Sequence, residues 1–234
     1  MLLGLSCIYL RNNFQNLKTM GLFNKKKTNE PRPAVADMPS LFMCDDSESD
    51  HGKEAMLDYQ LSYLLRIANS SEEGNELGKR ALMKLLGKEV QFDEYGFVDN
   101  IDIYSVKVWK QWQKIDLIVE VDAWFGSLLE RQREQHVIVI ENKAYTGIHD
   151  DQLSRYMQDV EEWYKGKDVQ VHYWVITFYD NDTKEFDAIA TQCQESKGDW
   201  KCLSFEGIID LTDEERQKGT YNEILDEFWV KKWY

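Results

Sequence analysis

The sequence predicts a mixed α/β fold of the α+β kind, in which one mixed sheet is flanked by helices. Its 234 residues are 43% hydrophobic, which is typical of a folded globular chain long enough to bury a sizeable core. Segments with apolar residues at helical spacing come first. Several short apolar segments typical of strands follow, and then another helix and another strand. This order, with no internal repeat, favours a single folded domain.

Helices are predicted where apolar residues recur every three or four positions. In the first of them, Leu57, Leu61 and Leu64 share one face, and in the second Gly87 marks the end. Four helices are predicted in all, and they cover residues 53–68, 75–86, 150–165 and 221–233.

Strands are predicted where β-branched and aromatic residues form short apolar runs. Six segments have this character, and they cover residues 89–98, 101–109, 115–121, 136–142, 169–179 and 201–205. Because the first four follow one another with no helical period between them, they are expected to form an antiparallel meander.

The first 40 residues are predicted to be a disordered basic tail and a linker, with the folded domain over residues 41–234. Lys25, Lys26 and Lys27 form a basic run, and all three prolines lie between Pro31 and Pro39, as in an extended linker. The apolar opening lacks the basic start of a leader peptide. An upstream start codon, with true initiation near Met20, is the alternative to a tail.

The composition argues against several classes of protein. The four cysteines form no C-x-x-C pair, which disfavours a disulfide scaffold or a zinc site and favours a reduced, cytoplasmic protein. No apolar run approaches the roughly 18 residues of a membrane span. The net charge of −14 argues against a protein that coats nucleic acid. It does not argue against an enzyme whose metal ion supplies positive charge locally.

Two predicted strands carry charged residues inside or directly after an apolar run. Asp116 interrupts a β-branched run, and the strand that begins at His136 runs straight into Glu141, Asn142 and Lys143. Side chains alternate along a strand, so Glu141 and Lys143 project to one side and Asn142 to the other. If the two strands are neighbours, Asp116 lies across from Glu141. Two carboxylates and one ammonium group would then converge at one edge of the sheet.

This arrangement suits metal-assisted hydrolysis of a phosphodiester. Mg²⁺ prefers oxygen ligands, and Asp116, Glu141 and the Asn142 carbonyl are predicted to supply them. The ion would lower the pKa of a bound water and stabilise charge on the phosphate. Lys143 is predicted to hold the attacking water or help to deprotonate it.

The acid-x-Lys triplet is weak as a signal by itself, since it occurs four times, starting at Glu141, Asp182, Glu195 and Asp199. Only Glu141 ends an apolar strand and follows another strand with an embedded Asp. The surroundings of the triplet therefore carry the prediction.

Three short motifs together resemble the PD-(D/E)XK nuclease superfamily. They are the pair Ile115-Asp116, the I-E-N-K end of the strand at 140–143, and the Q-L-x-x-Y opening of the next helix at 152–156. The last two are similar to one subgroup of bacterial and phage members in particular. The resemblance covers roughly residues 50–180, and Ile115 stands where the family's name has proline.

The resemblance implies a restriction-endonuclease-like αβββαβ core and cleavage of DNA, as an endonuclease or exonuclease that depends on Mg²⁺ or Mn²⁺. It also implies that Asp116, Glu141 and Lys143 are the catalytic set. Gln152 matches an auxiliary position that faces the site, and Glu54 matches an acid on the first core helix.

A second hypothesis is a catalytically idle domain that binds a protein partner or mimics DNA, which the acidity favours. The complete set of Asp116, Glu141 and Lys143 favours the enzyme, because an idle domain has no reason to keep all three. The expected partner is a DNA substrate, with no membrane. A homodimer, a protein partner and the choice between DNA and RNA stay open.

Overall fold

The computed structural model describes residues 52–127, 130–149 and 151–231, with side chains from residue 55 onward. Its strands are β1 Ile101–Trp112, β2 Ile115–Phe125, β3 Gln132–Lys143, β4 Gln170–Thr177 and β5 Trp200–Ser204. Its helices are α1 Gly52–Ile67, α2 Asn75–Leu85, α3 Gln152–Tyr164, α4 Lys184–Glu195, α5 Asp213–Lys218 and α6 Glu223–Leu225. A 3₁₀ turn covers Glu206–Ile208, and a π-helical turn covers Asp226–Val230. The predicted tail, the linker and the start of the domain lie outside the described residues.

Within the described ranges the strands form one sheet in the order β1-β2-β3-β4-β5. The pairs β1–β2 and β2–β3 are antiparallel, whereas β3–β4 and β4–β5 are parallel. Parallel neighbours need a long crossover, which α3 provides between β3 and β4 and α4 between β4 and β5. The sheet confirms the predicted mixed α/β class. The sequence of α1, β1–β3, α3 and β4 also gives the αβββαβ order that the resemblance implies.

Alternation along the strands builds a hydrophobic core on each face of the sheet. Leu117 and Val119 point to the face covered by α1, α2 and the C-terminal helical turns, and both are fully buried. Ile118 and Val139 point to the opposite face, which α3 and α4 cover. Helices therefore lie on both faces, and the ends of the central strands stay at the edge of the sheet.

The helices α1 and α2 pack closely at Gly78. A Cβ atom added there would lie 2.6 Å from the Leu64 carbonyl oxygen and 2.7 Å from the Ala68 nitrogen. Alanine normally favours a helix over glycine by about 1 kcal/mol. Here we expect Gly78→Ala to lower the free energy of unfolding by about 1–3 kcal/mol, because backbone atoms cannot give way locally.

Urea unfolding measures this effect. Gly147→Ala is the control, since an added Cβ there meets no atom within 4 Å, and its stability should stay within about 0.5 kcal/mol of the wild type. A Gly78→Ala protein as stable as the control would contradict the close packing.

The predicted strand at 89–98 is wrong. Only an isolated bridge between Phe92 and Val98 is present in this segment. The Asp93 carboxylate accepts hydrogen bonds from the backbone N–H groups of Tyr95 and Phe97, each at 2.9 Å. The Asp93 side chain thus stabilises a turn and pairs with backbone N–H groups that would otherwise be free to bond a neighbouring strand.

Two helices are not predicted by the hydrophobic pattern. In α4 only Ile189 and Cys193 are buried, and α5 buries no residue, so neither has a long apolar stripe. Both are defined instead by their caps, in which Thr183 and Thr212 accept hydrogen bonds from backbone N–H groups of the first turn.

The predicted C-terminal helix is present, but it begins at α6 and passes at once into the π-helical turn. Within the described residues, no helix is both long and apolar enough to cross a membrane.

Candidate active site

The structure brings the predicted charged residues together at the edge where β2 begins and β3 ends. The antiparallel register pairs Leu117 with Ile140, so the next position places Asp116 opposite Glu141. Glu141 and Lys143 lie on the face covered by α3, as alternation predicts. The Asn142 side chain lies on the other face, towards α1.

Glu141 and Lys143 are buried in direct contact at the end of β3. The Lys143 Nζ atom lies 2.7 Å from Glu141 Oε1, and the two residues are only 6% and 2% exposed. Gln152, the first residue of α3, donates from Nε2 to the same oxygen at 2.7 Å and also contacts the Tyr156 hydroxyl at 2.9 Å. That hydroxyl donates to the Lys114 carbonyl at 2.8 Å. The start of α3 is thus connected both to Glu141 and to the β1–β2 turn.

Burial, and after it the nearby charge of Asp116, raises the pKa of Glu141 to about 8, whereas Lys143 acts in the opposite direction. A hydrogen bond with the Asp116 side chain also favours the protonated form. At neutral pH the metal-free protein therefore favours the protonated form of Glu141. A divalent cation in this position would replace that proton.

Asp116 is held from both sides by neighbouring strands. Its Oδ1 atom accepts a hydrogen bond from Gln111 Nε2 at 2.8 Å, and its Oδ2 atom accepts one from the Asn142 backbone N–H at 2.8 Å. The first donor belongs to β1 and the second to β3. The orientation of this half-buried carboxylate is therefore set by main-chain and side-chain donors together.

The donor set at this edge fits a hard divalent cation. Glu141 Oε2 and Gln152 Oε1 are buried, and neither oxygen accepts a hydrogen bond from a donor group of the described residues. A buried acceptor without a donor is costly, and a cation would satisfy it. The described residues contain no group of three or more His, Cys, Asp or Glu side chains placed to hold a metal. An ion here would therefore use two carboxylates together with carbonyl or water oxygens, as Mg²⁺ commonly does.

A second polar cluster supports the site from the α1 face. Asn142 Nδ2 donates to Asp58 Oδ1 at 2.6 Å, and Lys110 Nζ lies 3.1 Å from Asp58 Oδ2. Asp58 is 4% exposed, and burial is the main cause that raises its pKa, against the bonds from Asn142 and Lys110. This cluster anchors the side chain of the residue between Glu141 and Lys143.

The predicted auxiliary acid Glu54 lies in the first turn of α1, and its side chain is outside the described residues. Asp58, one helical turn later, is the described acid of α1 that contacts the site. Sequence reasoning missed Asp58 and Gln111, and it considered Lys110 only as a candidate contact to the nucleic-acid backbone. The available signal was an acid inside the apolar face of a helix, next to Leu57.

Comparisons with known proteins identify the family of this chain. A family model described as the PD-(D/E)XK nuclease superfamily matches residues 60–232. No curated protein matches the chain. One similar solved structure is the MspJI restriction endonuclease in complex with a 27-mer oligonucleotide, at 11% identity and a TM-score of 0.26. That likeness covers 84% of this chain and 37% of the MspJI chain. Because the family model covers well over half of the sequence, the protein belongs to the PD-(D/E)XK nuclease superfamily.

Proposed function

We propose that the protein is a metal-dependent nuclease that hydrolyses DNA phosphodiester bonds. The observation that carries this proposal is the position of the Asp116 and Glu141 carboxyl groups opposite each other on neighbouring strands, beside the buried ammonium group of Lys143. Carboxyl groups that share a hydrogen bond are close enough to share one cation, since carboxylate oxygens lie about 2.1 Å from Mg²⁺.

Each residue has a distinct role in this proposal. Asp116 and Glu141, with the main-chain carbonyl of Asn142, would hold Mg²⁺ or Mn²⁺. When bound, the ion supplies a water of lowered pKa and stabilises negative charge on the phosphate. Lys143 orients the attacking water and pairs with the scissile phosphate. Gln152 holds the Glu141 carboxyl group through its 2.7 Å hydrogen bond.

The burial of the charged set argues against the alternative of an idle binding domain or a DNA mimic. Burying the Lys143 ammonium group costs several kcal/mol, and burying the Glu141 carboxyl group also costs free energy, since it raises the pKa of that group. A domain used only for binding could replace them with apolar residues of similar volume without that cost. A catalytic role explains better why these side chains are buried at the edge of the sheet, beside the Glu141 and Gln152 oxygens that accept no hydrogen bond.

The test is cleavage of linear, circular and branched DNA by the purified protein, with Mg²⁺ or Mn²⁺ and with EDTA as the control. We expect cleavage only with metal, and loss of circular DNA would identify an endonuclease. The net charge of −14 also predicts little DNA binding in EDTA, which an electrophoretic mobility shift measures. A protein that cuts none of these substrates and binds no metal in calorimetry would refute the proposal. Tight metal-free binding of DNA would contradict its electrostatic part.

A further inference from the structure

The β1–β2 hairpin ends beside the candidate site and contains three non-glycine residues with left-handed backbone. The φ angles are 57° at Gln111, 50° at Gln113 and 69° at Lys114. L-amino acids seldom adopt this conformation, because Cβ crowds the backbone. Trp112 pairs with Ile115, so Gln113 and Lys114 form a two-residue loop. Such loops favour a turn that needs positive φ at both positions, which accounts for these two residues.

Gln111 is not explained by the turn. Lys110 pairs with Leu117 and Trp112 pairs with Ile115, so Gln111 occupies the strand position opposite Asp116. A residue at such a position is ordinarily extended. Its side chain, however, donates from Nε2 to Asp116 Oδ1 at 2.8 Å. The unusual backbone conformation therefore coincides with a specific contact to a proposed metal ligand.

We propose that Gln111 is a positioning residue, which sets the orientation of the Asp116 carboxylate for the metal ion. This inference rests on the proposed function. Rotation of a carboxylate about its last torsion is weakly restricted by itself. Here Gln111 holds one oxygen and the Asn142 N–H holds the other. Each carboxylate oxygen has two acceptor positions, so each hydrogen bond leaves one position on its oxygen for a cation.

The test compares Gln111→Gly with Gln113→Gly. Both variants replace a left-handed residue with one that adopts this backbone readily, so both should fold, with a Tm equal to or a few degrees above that of the wild type. The Gln113 side chain is exposed and makes no hydrogen bond among the described residues, which makes it the matched control. We expect Gln111→Gly to bind Mn²⁺ at least about 10-fold more weakly in calorimetry without DNA. The Mg²⁺ concentration for half-maximal cleavage should rise in parallel, and Gln113→Gly should change neither quantity.

Wild-type Mn²⁺ affinity in Gln111→Gly would overturn the inference. An equal loss in both variants would also overturn it, because the hairpin backbone and not the Gln111 side chain would then be responsible. A wild-type protein that binds no metal would refute the proposed function, and this inference with it. A wild-type protein that binds metal and cleaves DNA, beside an unaffected Gln111→Gly, would refute the inference alone.

Discussion

Replacing Lys143 with alanine is expected to lower the rate of DNA cleavage by at least about 100-fold, the lower end of what a positioned proton-transfer group contributes. Its ammonium group is buried 2.7 Å from Glu141, and alanine leaves no positive charge at this position. The variant should still fold. The raised pKa of Glu141 lets this residue keep its proton at neutral pH, so no unpaired charge is buried when Lys143 is lost.

Initial cleavage rates at saturating metal measure this effect, with circular dichroism as the check on folding. Lys197→Ala is the matched control, because Lys197 ends another acid-x-Lys triplet but is exposed on the surface. Lys143→Arg should not restore the rate, since a planar guanidinium does not fit where a compact ammonium is buried. Asp116→Ala is expected to lose as much activity as Lys143→Ala. Equal rates in Lys143→Ala and Lys197→Ala would remove Lys143 from the mechanism.

Replacing Glu141 with glutamine is expected to abolish metal binding and to stabilise the metal-free protein at alkaline pH. The pKa of Glu141 is about 8 in the folded protein, against an ordinary value of 4.5. Between these values the folded state holds a proton that the unfolded state has released. Stability from this group is therefore complete below about pH 4.5 and is lost as the pH rises to about 8. The total loss is on the order of 5 kcal/mol.

Urea unfolding in EDTA from pH 5 to 9 measures the difference between wild type and variant. The difference should grow in favour of Glu141→Gln as the pH rises, because glutamine does not titrate. Added Mn²⁺ should stabilise the wild type at pH 8 and leave the variant unchanged. Glu195→Gln, an exposed residue of another acid-x-Lys triplet, should follow the wild type in both experiments. A difference that does not depend on pH would show that Glu141 is ionised at neutral pH in the folded protein.

The pattern of apolar residues along the sequence correctly predicted the two strands that carry the site residues. It failed where hydrogen bonds from single side chains determine the local structure. The runs at 115–121 and 136–142 are strands because their β-branched residues fill the two cores of one sheet. The run at 89–98 has similar apolar content, but Asp93 closes a turn within it. The helix α4 has two buried residues, too few for a visible period, and its cap at Thr183 is the better local signal.

The sequence by itself determined the mixed α/β class and placed Glu141 and Lys143 on one side of their strand. Periodicity and alternation are properties of neighbouring residues, so they can be identified without the fold. Only the tertiary structure decided that Asp58 anchors Asn142, 84 positions away, and that Lys110 joins them. It also decided that Gln111 reaches Asp116 through a left-handed backbone. These contacts depend on strand register and helix packing, which no local pattern contains.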